Sequence, residues 1–354
     1  MPLSPLSHYH NPPEAPCCRS SATLRTGTQQ PQNPSGTPYN RSMKNTHLEH
    51  PEDSILNGDL SVLDWFVNPG TLSVKIDGAP AIVFGTNPAT GKFFVGTKSV
   101  FNKVKIKINH SHEEIDANHS GEVACILHAC FDYLPRTSTV YQCDFIGFGG
   151  SDEYTPNTIT YQFPEVISQQ IIVAPHTCYF AESDLRDAVA MPDRAIWNDT
   201  DTVKFVKPEA YILHDPWNRS VSDVCFDDVE EVCKYARQMS TLVTFVSDKE
   251  AAKIKQQLNA CIRSGDAIIA QTFEDFGCDP NLIGLWALVK SIKDDCLFLC
   301  RNDGPAAYLG SPYAGYERID AEGYVMTNEF GMFKLVNREV FSHANFNQGR
   351  FQKV

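Results

Sequence analysis

The chain has 354 residues, of which 42% are hydrophobic and 21% charged, and its formal net charge is -13. These values are ordinary for a globular protein, and the acidic balance argues against a protein that coats nucleic acid through charge alone. No apolar run approaches the roughly 20 residues that a membrane-spanning helix needs, so no membrane association is expected. The twelve cysteines include no Cys-x-x-Cys pair, which favours reduced thiols in a cytoplasmic, reducing compartment.

The first 42 residues are rich in Pro, Ser, Thr, Gln and Asn and contain few apolar side chains. A segment of this composition buries too little apolar surface to fold, so we expect residues 1–42 to be disordered. Ordered structure is expected from residue 43 onward, and its first predicted element is a short helix over residues 55–66.

The segment Lys75-Ile76-Asp77-Gly78 is the first with the character of a functional site. Apolar and polar residues alternate over residues 73–77, a period of two that predicts a strand. Two more strands are predicted over residues 79–84 and 92–97, joined by turn residues. A lysine held on a strand beside a carboxylate can act as a covalent nucleophile. Because a four-residue motif also recurs by chance, this interpretation needs support from the rest of the chain.

Lysines are concentrated directly after this segment. They alternate with aliphatic residues in a pattern that predicts a further strand over residues 98–108. One interpretation is a solvated edge strand, where lysines discourage aggregation. The other is a patch that contacts a phosphate backbone near Lys75. The lysines in question are Lys92, Lys98, Lys103, Lys105 and Lys107.

A helix predicted over residues 113–133 has four histidines in or near it, but their spacing fits no zinc-binding pattern. A buried strand over residues 139–146 follows and carries one carboxylate, Asp144. Shorter strands are predicted at residues 158–163, 170–174, 177–180 and 203–207.

The pattern changes between residues 221 and 303, where apolar residues recur at helical spacing. We expect a helical insertion of three or four helices there. Strand patterns return at residues 323–326 and 332–336. The predicted organisation is a disordered segment (1–42), the first part of a core (43–217), a helical insertion (218–303) and the final core strands (304–354).

Five charged side chains fall on or beside the predicted strands: Lys75, Asp77, Asp144, Glu322 and Lys334. A nucleophilic lysine must be neutral, and a nearby cation or desolvation lowers its pKa. Attack on a phosphoryl group also needs carboxylates for a divalent metal and cations that stabilise the phosphate oxygens. The five residues supply both requirements.

In this order, the segments resemble the motifs of the covalent nucleotidyltransferases, which include ATP-dependent DNA and RNA ligases and messenger-RNA capping enzymes. Lys75-Ile76-Asp77-Gly78 is similar to the motif whose lysine forms the lysyl-nucleotide adduct, and residues 141–145 to the third motif, with Asp144 where Glu is usual. Glu322-Gly323-Tyr324-Val325 is similar to the fourth motif, whose Glu binds metal. Phe333-Lys334-Leu335-Val336 is similar to the fifth, whose first lysine contacts the α-phosphate.

The resemblance implies an α/β (α+β) fold, a nucleotidyltransferase or ligase adenylation-domain core of antiparallel sheets with a cleft between them and a helical insertion. It implies Lys75 as the catalytic nucleophile toward ATP, and Mg²⁺ (or Mn²⁺) bound by Glu322 and Asp144. The residues expected to contact the nucleotide are Asp77, Gly78, Lys98, Asp144 and Lys334. Those expected to contact nucleic acid are Lys92, Lys103, Lys105 and Lys107.

The implied function is an ATP-dependent polynucleotide ligase that acts through lysyl-AMP on RNA or a nicked duplex. The short spacing between Glu322 and Lys334 is closer to RNA ligases than to DNA ligases, so RNA is favoured. The alternatives are a capping-type guanylyltransferase, a non-catalytic nucleotide- or nucleic-acid-binding module, and transfer to a protein or small molecule. The helical insertion is a candidate docking surface for a protein partner.

A wider pattern, which includes His50-Pro51-Glu52-Asp53 and residues 96–103, also resembles an uncharacterised group of tailed-phage proteins. That resemblance implies a location in the cytoplasm of an infected cell and no particular activity.

Three positions depart from the nucleotidyltransferase motifs. Val336 stands where the fifth motif normally has its second lysine, and Arg338 is the candidate replacement. Lys98 falls near the position of the family's arginine, and a lysine matches phosphate geometry less well. The aromatic residue that stacks on the base has no secure match, with Tyr179 and Phe180 as candidates.

Overall fold

The structure is a computed structural model and describes residues 48–213, 225–226, 229–311 and 315–347. The predicted disorder of residues 1–42 falls outside these ranges. The helices are α1 (Pro51–Ser54), α2 (Ser61–Val67), α3 (His112–Asn118), α4 (Gly121–Tyr133), α5 (Glu230–Ser240), α6 (Asp248–Ser264), α7 (Ala270–Asp275), α8 (Leu282–Leu299) and α9 (Arg338–Asn347). Within the described part of the chain, no helix is both long and apolar enough to cross a membrane.

Strands account for most of the remaining regular structure, and they form several antiparallel sheets in a mixed α/β fold. The strands are β1 (Thr71–Lys75), β2 (Ala81–Thr86), β3 (Phe93–Gly96), β4 (Val140–Phe148), β5 (Glu153–Tyr154), β6 (Ile159–Gln162), β7 (Ile171–Phe180), β8 (Val189–Pro192), β9 (Val203–Phe205), β10 (Ala210–Ile212), β11 (Cys300–Asn302), β12 (Ala306–Ser311), β13 (Gly315–Ile319), β14 (Gly323–Asn328) and β15 (Gly331–Val336).

The large sheet has the strand order β3-β2-β4-β7-β8, and β9 pairs in parallel with β7. Successive side chains of a strand point to opposite faces, so the two faces of β4 lie in different environments. Cys143 and Phe145 pack into an apolar core with side chains of α3 and α4. Gln142 and Asp144 lie on the other face, which lines a cavity. The alternation along β4 therefore places polar side chains on the face away from the helices.

The small sheet has the order β1-β14-β15, with Lys75 opposite Gly323 and Val325 opposite Lys334. Leu72, Met326 and Leu335 pack into one core with buried side chains from α5, α6, α7 and α8. The predicted insertion of three or four helices contains four in the described ranges, and they pack on the small sheet and share its core.

The third sheet, β13-β12-β6-β5, is antiparallel throughout. Its buried side chains, including Tyr161 and Ala307, pack in one cluster with Ile76 just after β1, Ile146 on β4 and Val336 on β15. These three sheets consequently meet around the segment that carries Lys75, and a fourth sheet in the described ranges is the pair β10-β11.

Most of the predicted strands exist, and the main errors lie in loops and helix breaks. The strand predicted over residues 98–108 is wrong. The chain forms a 3₁₀ turn over Lys98–Phe101 and then a loop in which Lys105 has a φ of 57°. The segment pairs with the sheet only through the Val95–Asn109 bridge. Alternation there reflects exposed side chains, since Val104 is 77% exposed.

The two predicted helices of the N-terminal half are each divided. The predicted helix over residues 113–133 is α3 and α4, which separate at His119 and Ser120, before Gly121 with its φ of 63°. The helix predicted over 55–66 is split at Gly58, whose φ of 82° ends a 3₁₀ turn before α2 begins. Two predicted strands, 170–174 and 177–180, are in contrast one continuous strand, β7.

A network of buried charges joins α1 to α8 and α9. Lys293 donates to Glu52 at 2.9 Å, and both side chains are fully buried. Arg338 donates to Asp53 at 2.8 Å, and the Trp286 indole donates to the same carboxylate at 3.1 Å. Burial alone would raise the pKa of Glu52, but the Lys293 and Arg338 cations outweigh it and lower the pKa. The carboxylate therefore stays charged inside the core.

Replacing Lys293 by Met should destabilise the fold by about 3 kcal/mol, because a buried carboxylate then loses its closest cation. The measurement is the free energy of unfolding from urea denaturation. The matched control is Lys234→Met, which removes an exposed lysine that pairs with Glu230 on α5 and should leave the free energy of unfolding almost unchanged. Equal losses in the two variants would contradict the role of the buried pair.

Candidate active site

A cavity of about 430 Å³ lies between the small sheet and the large sheet. The small sheet contributes side chains of β1, β14 and β15, and the large sheet contributes side chains of β4, β7 and β8. The polar and charged residues on its wall are His50, Ser73, Lys75, Lys98, Gln142, Asp144, His176, Thr177, Tyr179, Glu322, Lys334, Arg338 and Ser342. A cavity of this volume suits a small-molecule ligand of nucleotide size.

Lys75 ends β1 and points into this cavity. Its Nζ donates to Glu322 Oε2 and lies 3.8 Å from Asp77 Oδ1. Burial alone would lower the pKa of Lys75, but the carboxylates of Glu322 and Asp77 outweigh it, so the pKa lies above its ordinary value. Lys75 is thus an ammonium in this state, and a nucleophilic role requires that it lose a proton.

Asp77 is held in place by the third sheet. Its Oδ2 accepts from the Asn157 amide at 2.6 Å, and its backbone N–H donates to the Tyr161 hydroxyl at 2.7 Å. Burial raises the pKa of Asp77, although Lys75 and Asn157 oppose the shift. A carboxylate of raised pKa beside an ammonium is a suitable acceptor for its proton.

Two motif glycines are required by close backbone approaches. A Cβ on Gly78 would lie 2.6 Å from the Phe145 carbonyl oxygen of β4, where the next residue, Ala79, donates its N–H at 3.0 Å. A Cβ on Gly323 would lie 2.3 Å from the Leu335 carbonyl oxygen of β15. Gly78 allows the chain after β1 to reach the large sheet, and Gly323 allows Glu322 to turn beside Lys75.

Glu322 and Asp144, the predicted metal ligands, both line the cavity. Burial raises the pKa of Glu322, and Lys75 opposes the shift. Asp144 Oδ1 lies 3.5 Å from His176 Nε2. Among the residues with described positions, no cluster of three or more His, Cys, Asp or Glu side chains could hold a metal ion by itself. The pair fits a Mg²⁺ that arrives with a nucleotide, since such an ion needs only one or two carboxylates besides phosphate and water.

Lys334, on β15, lines the same cavity as Glu322. Burial lowers its pKa, and the neighbouring Lys75 cation lowers it further. Its ammonium has no hydrogen bond or ion pair to any side chain in the described ranges. Val336, two residues on, is 4% exposed and packs in an apolar cluster.

Arg338, the candidate substitute for the missing lysine, lines the cavity but is already engaged. Its guanidinium donates to Asp53, to Glu52 at 3.2 Å and to Asn259 at 2.7 Å. Only Nε remains without a partner.

The structure separates the predicted lysines into two groups. Lys98 lines the cavity, but the four lysines predicted to contact nucleic acid do not. Lys107 donates to the Asn118 carbonyl at 2.6 Å. Lys92, Lys103 and Lys105 are exposed outside the cavity. They can contact only a ligand that extends beyond it.

Sequence reasoning missed several polar residues on the cavity wall, among them His50, Gln142 and His176. Gln142 precedes Asp144 by two on β4, so the period-two pattern was the signal for it. The pairing of β4 with β7 is irregular next to Gln142, and no sequence pattern places His176 beside Asp144. Of the base-stacking candidates, Tyr179 lines the cavity and donates to Gln142 Oε1 at 2.7 Å. Phe180 is 59% exposed and lies outside the cavity.

Residues 45–276 and 279–350 match a family of unknown function (DUF6267). The chain belongs to this family. The matched residues include Lys75, Asp144, Glu322 and Lys334, so the DUF6267 region contains the whole cavity wall described above. No curated protein and no solved structure matches the chain.

Replacing Glu322 by Gln should lower the pKa of Lys75 relative to the wild type, because burial and the Lys334 cation then act without the closest carboxylate. The measurement is an NMR titration that follows the ¹³Cε shift of Lys75. Glu329→Gln is the control, since Glu329 is an exposed glutamate in the turn at the far end of β14 and its loss should leave the titration unchanged. An unaltered Lys75 titration in Glu322→Gln would refute the ion-pair assignment.

Proposed function

We propose that the chain is an ATP-dependent polynucleotide ligase that works through a covalent lysyl-AMP on Lys75. The observation that carries the proposal is the position of Lys75: it lies in a cavity of nucleotide size, between two carboxylates and near Lys334, a partly buried cation that forms no ion pair in the described ranges. The order of the four sequence motifs supports the same reaction.

In the first step, Lys75 Nζ attacks the α-phosphate of ATP, the N–P bond forms, and the bond to the departing pyrophosphate breaks. Asp77, 3.8 Å from Nζ, takes the proton that Lys75 must lose. Lys334 and Lys98 stabilise the developing charge on phosphate oxygens, where preorganised cations are most effective. Mg²⁺ (or Mn²⁺) bound by Glu322 and Asp144 would neutralise charge on the nucleotide phosphates.

The cavity has two chemically different ends that orient the nucleotide. Lys334 and Arg338 form a cationic end beside the neutral His50, which suits the β- and γ-phosphates. Gln142, Thr177 and Tyr179 form a neutral end, and Gln142 lies about 7 Å from Asp144 along β4 at the usual rise per residue. This separation suits a nucleoside whose α-phosphate is at Lys75, so the base would lie against Gln142 and Tyr179.

The second step passes AMP from Lys75 to the 5′-phosphate of a polynucleotide, and a 3′-hydroxyl then displaces it. Lys92, Lys103 and Lys105, exposed beyond the cavity, would contact the substrate backbone. RNA is favoured by the short spacing between Glu322 and Lys334. The acceptor would be a single strand or a nicked duplex in the cytoplasm. The helical insertion over residues 218–303 is the candidate surface for a protein partner.

A non-catalytic nucleotide-binding module is the second candidate, and Val336 is the observation that favours it. Val336 is packed in an apolar cluster, and the nearest alternative cation, Arg338, is engaged by Glu52, Asp53 and Asn259. The site therefore supplies one fewer free cation than the ligase motifs normally do.

Incubation with α-³²P-labelled ATP and Mg²⁺ should leave label on the wild-type protein after denaturation, and Lys75→Ala should abolish it. Lys92→Ala, which removes an exposed lysine outside the cavity, should keep the label. Absence of label on the wild type, or equal label on Lys75→Ala, would rule out the covalent mechanism.

Two further arms separate the alternatives. Stronger labelling by α-³²P GTP than by ATP would identify a capping-type guanylyltransferase. Nucleotide binding without label would identify the non-catalytic module. Sealing of a 5′-phosphorylated strand would establish the ligase reaction, and parallel RNA and DNA substrates would decide between the two acceptors.

A further inference from the structure

Lys334 forms no hydrogen bond or ion pair with any side chain in the described ranges, and its side chain is only partly exposed. Burial and the Lys75 cation lower its pKa, although the more distant carboxylate of Glu322 opposes the shift. Charges in partly desolvated sites are normally paired. Because no carboxylate of the described residues lies within ion-pair distance, the ammonium is available to an anion bound in the cavity.

Two other polar atoms at the same end of the cavity also lack partners. They are Nδ1 of His50 and Nε of Arg338, both buried without a hydrogen bond inside the described ranges. Arg338 is 2% exposed, and all three residues line the cavity. Two buried nitrogens without partners and the Lys334 ammonium therefore belong to one end of the cavity, where they suit several oxygens of one anion.

We propose that His50, Lys334 and Arg338 form a polyphosphate subsite that binds its ligand together with one proton on His50. This subsite extends the proposed function, since its natural occupant there would be the pyrophosphate end of ATP. The binding of polyphosphate itself does not depend on the reaction at Lys75.

The charges around His50 explain why a proton accompanies the ligand. Burial lowers the pKa of His50, and so do the cations that face it: Arg338 on α9, Lys334 on β15, Lys293 on α8 and Lys75 on β1. The carboxylates of the adjoining helix α1, Glu52 and Asp53, are engaged by Lys293 and Arg338. His50 is therefore neutral when the cavity holds no anion.

A bound polyphosphate reverses this balance. Its negative charges offset the surrounding cations, so the pKa of His50 rises toward the ordinary value and the ring takes up a proton. An imidazolium donates from both ring nitrogens, and Nδ1 can then donate to a phosphate oxygen. Binding should strengthen as the pH falls toward the ordinary pKa of an imidazole, near 6.5.

The test is calorimetric binding of inorganic tripolyphosphate to the full chain at pH 6, in buffers with different ionisation enthalpies. The dependence of the heat on the buffer gives the number of protons taken up. The wild type should take up more protons than His50→Asn, and the substitution should weaken binding about tenfold, the usual effect of one hydrogen bond between charged groups. The difference between the proteins removes the protonation of tripolyphosphate itself.

His112→Asn is the matched control, because His112 on α3 lies outside the cavity and pairs with Asp132. It should keep the wild-type proton uptake. Lys334→Met should weaken tripolyphosphate binding at both pH 6 and pH 8, which separates a lost cation from a lost proton. Circular dichroism checks that each variant is folded.

Failure of tripolyphosphate to bind the wild type, or equal proton uptake by wild type and His50→Asn, would overturn the proposal. Binding with proton uptake but no labelled adduct would support the subsite and count against the ligase reaction. The two proposals thus fail separately.

Discussion

The ion pair between Lys75 and Glu322 is the interaction around which the described structure is arranged. It joins the last residue of β1 to the residue before β14, and the pairing of these strands places the two side chains together. The third sheet adds Asp77 through Asn157 and Tyr161, and the large sheet adds Asp144. Lys75, Asp77, Glu322 and Asp144 thus lie together in one small volume, and the apolar cluster around Ile76 packs the three sheets against one another.

Helices α5 to α8 affect this site through a buried charge on α8 as well as through packing on the small sheet. Lys293 of α8 engages Glu52, and Arg338 engages Asp53, so α1 is fixed beside the cavity and His50 is fixed with it. Because Arg338 is used in this network, it leaves Lys334 as the free cation of the last strand. The same network that stabilises the fold thereby sets the charge balance of the cavity.

Much of the fold follows from the sequence where the hydrophobic period is regular, as in β1, β4, β14 and β15. The period of two also explains why Asp144 and Lys334 face the cavity. It fails over residues 98–108, where alternation arises in an exposed loop, and it says nothing about strand order. The placement of His176 beside Asp144 and the engagement of Arg338 by Glu52 and Asp53 depend on long-range packing, which local sequence patterns do not encode. The ligase chemistry itself stays a prediction.

The two halves of the central ion pair are 247 residues apart in the chain. Contacts over such separations form late, because the entropy of closing a long loop must be overcome before they add stability. During synthesis, the chain carries Lys75 long before the strand that follows Glu322 has been made. A nascent chain that ends within helices α5 to α8 holds Lys75 and Asp77 but lacks Glu322 and the strands β14 and β15, which line one side of the cavity. The cavity and the Lys75–Glu322 ion pair therefore form only when the last strands of the fold are in place.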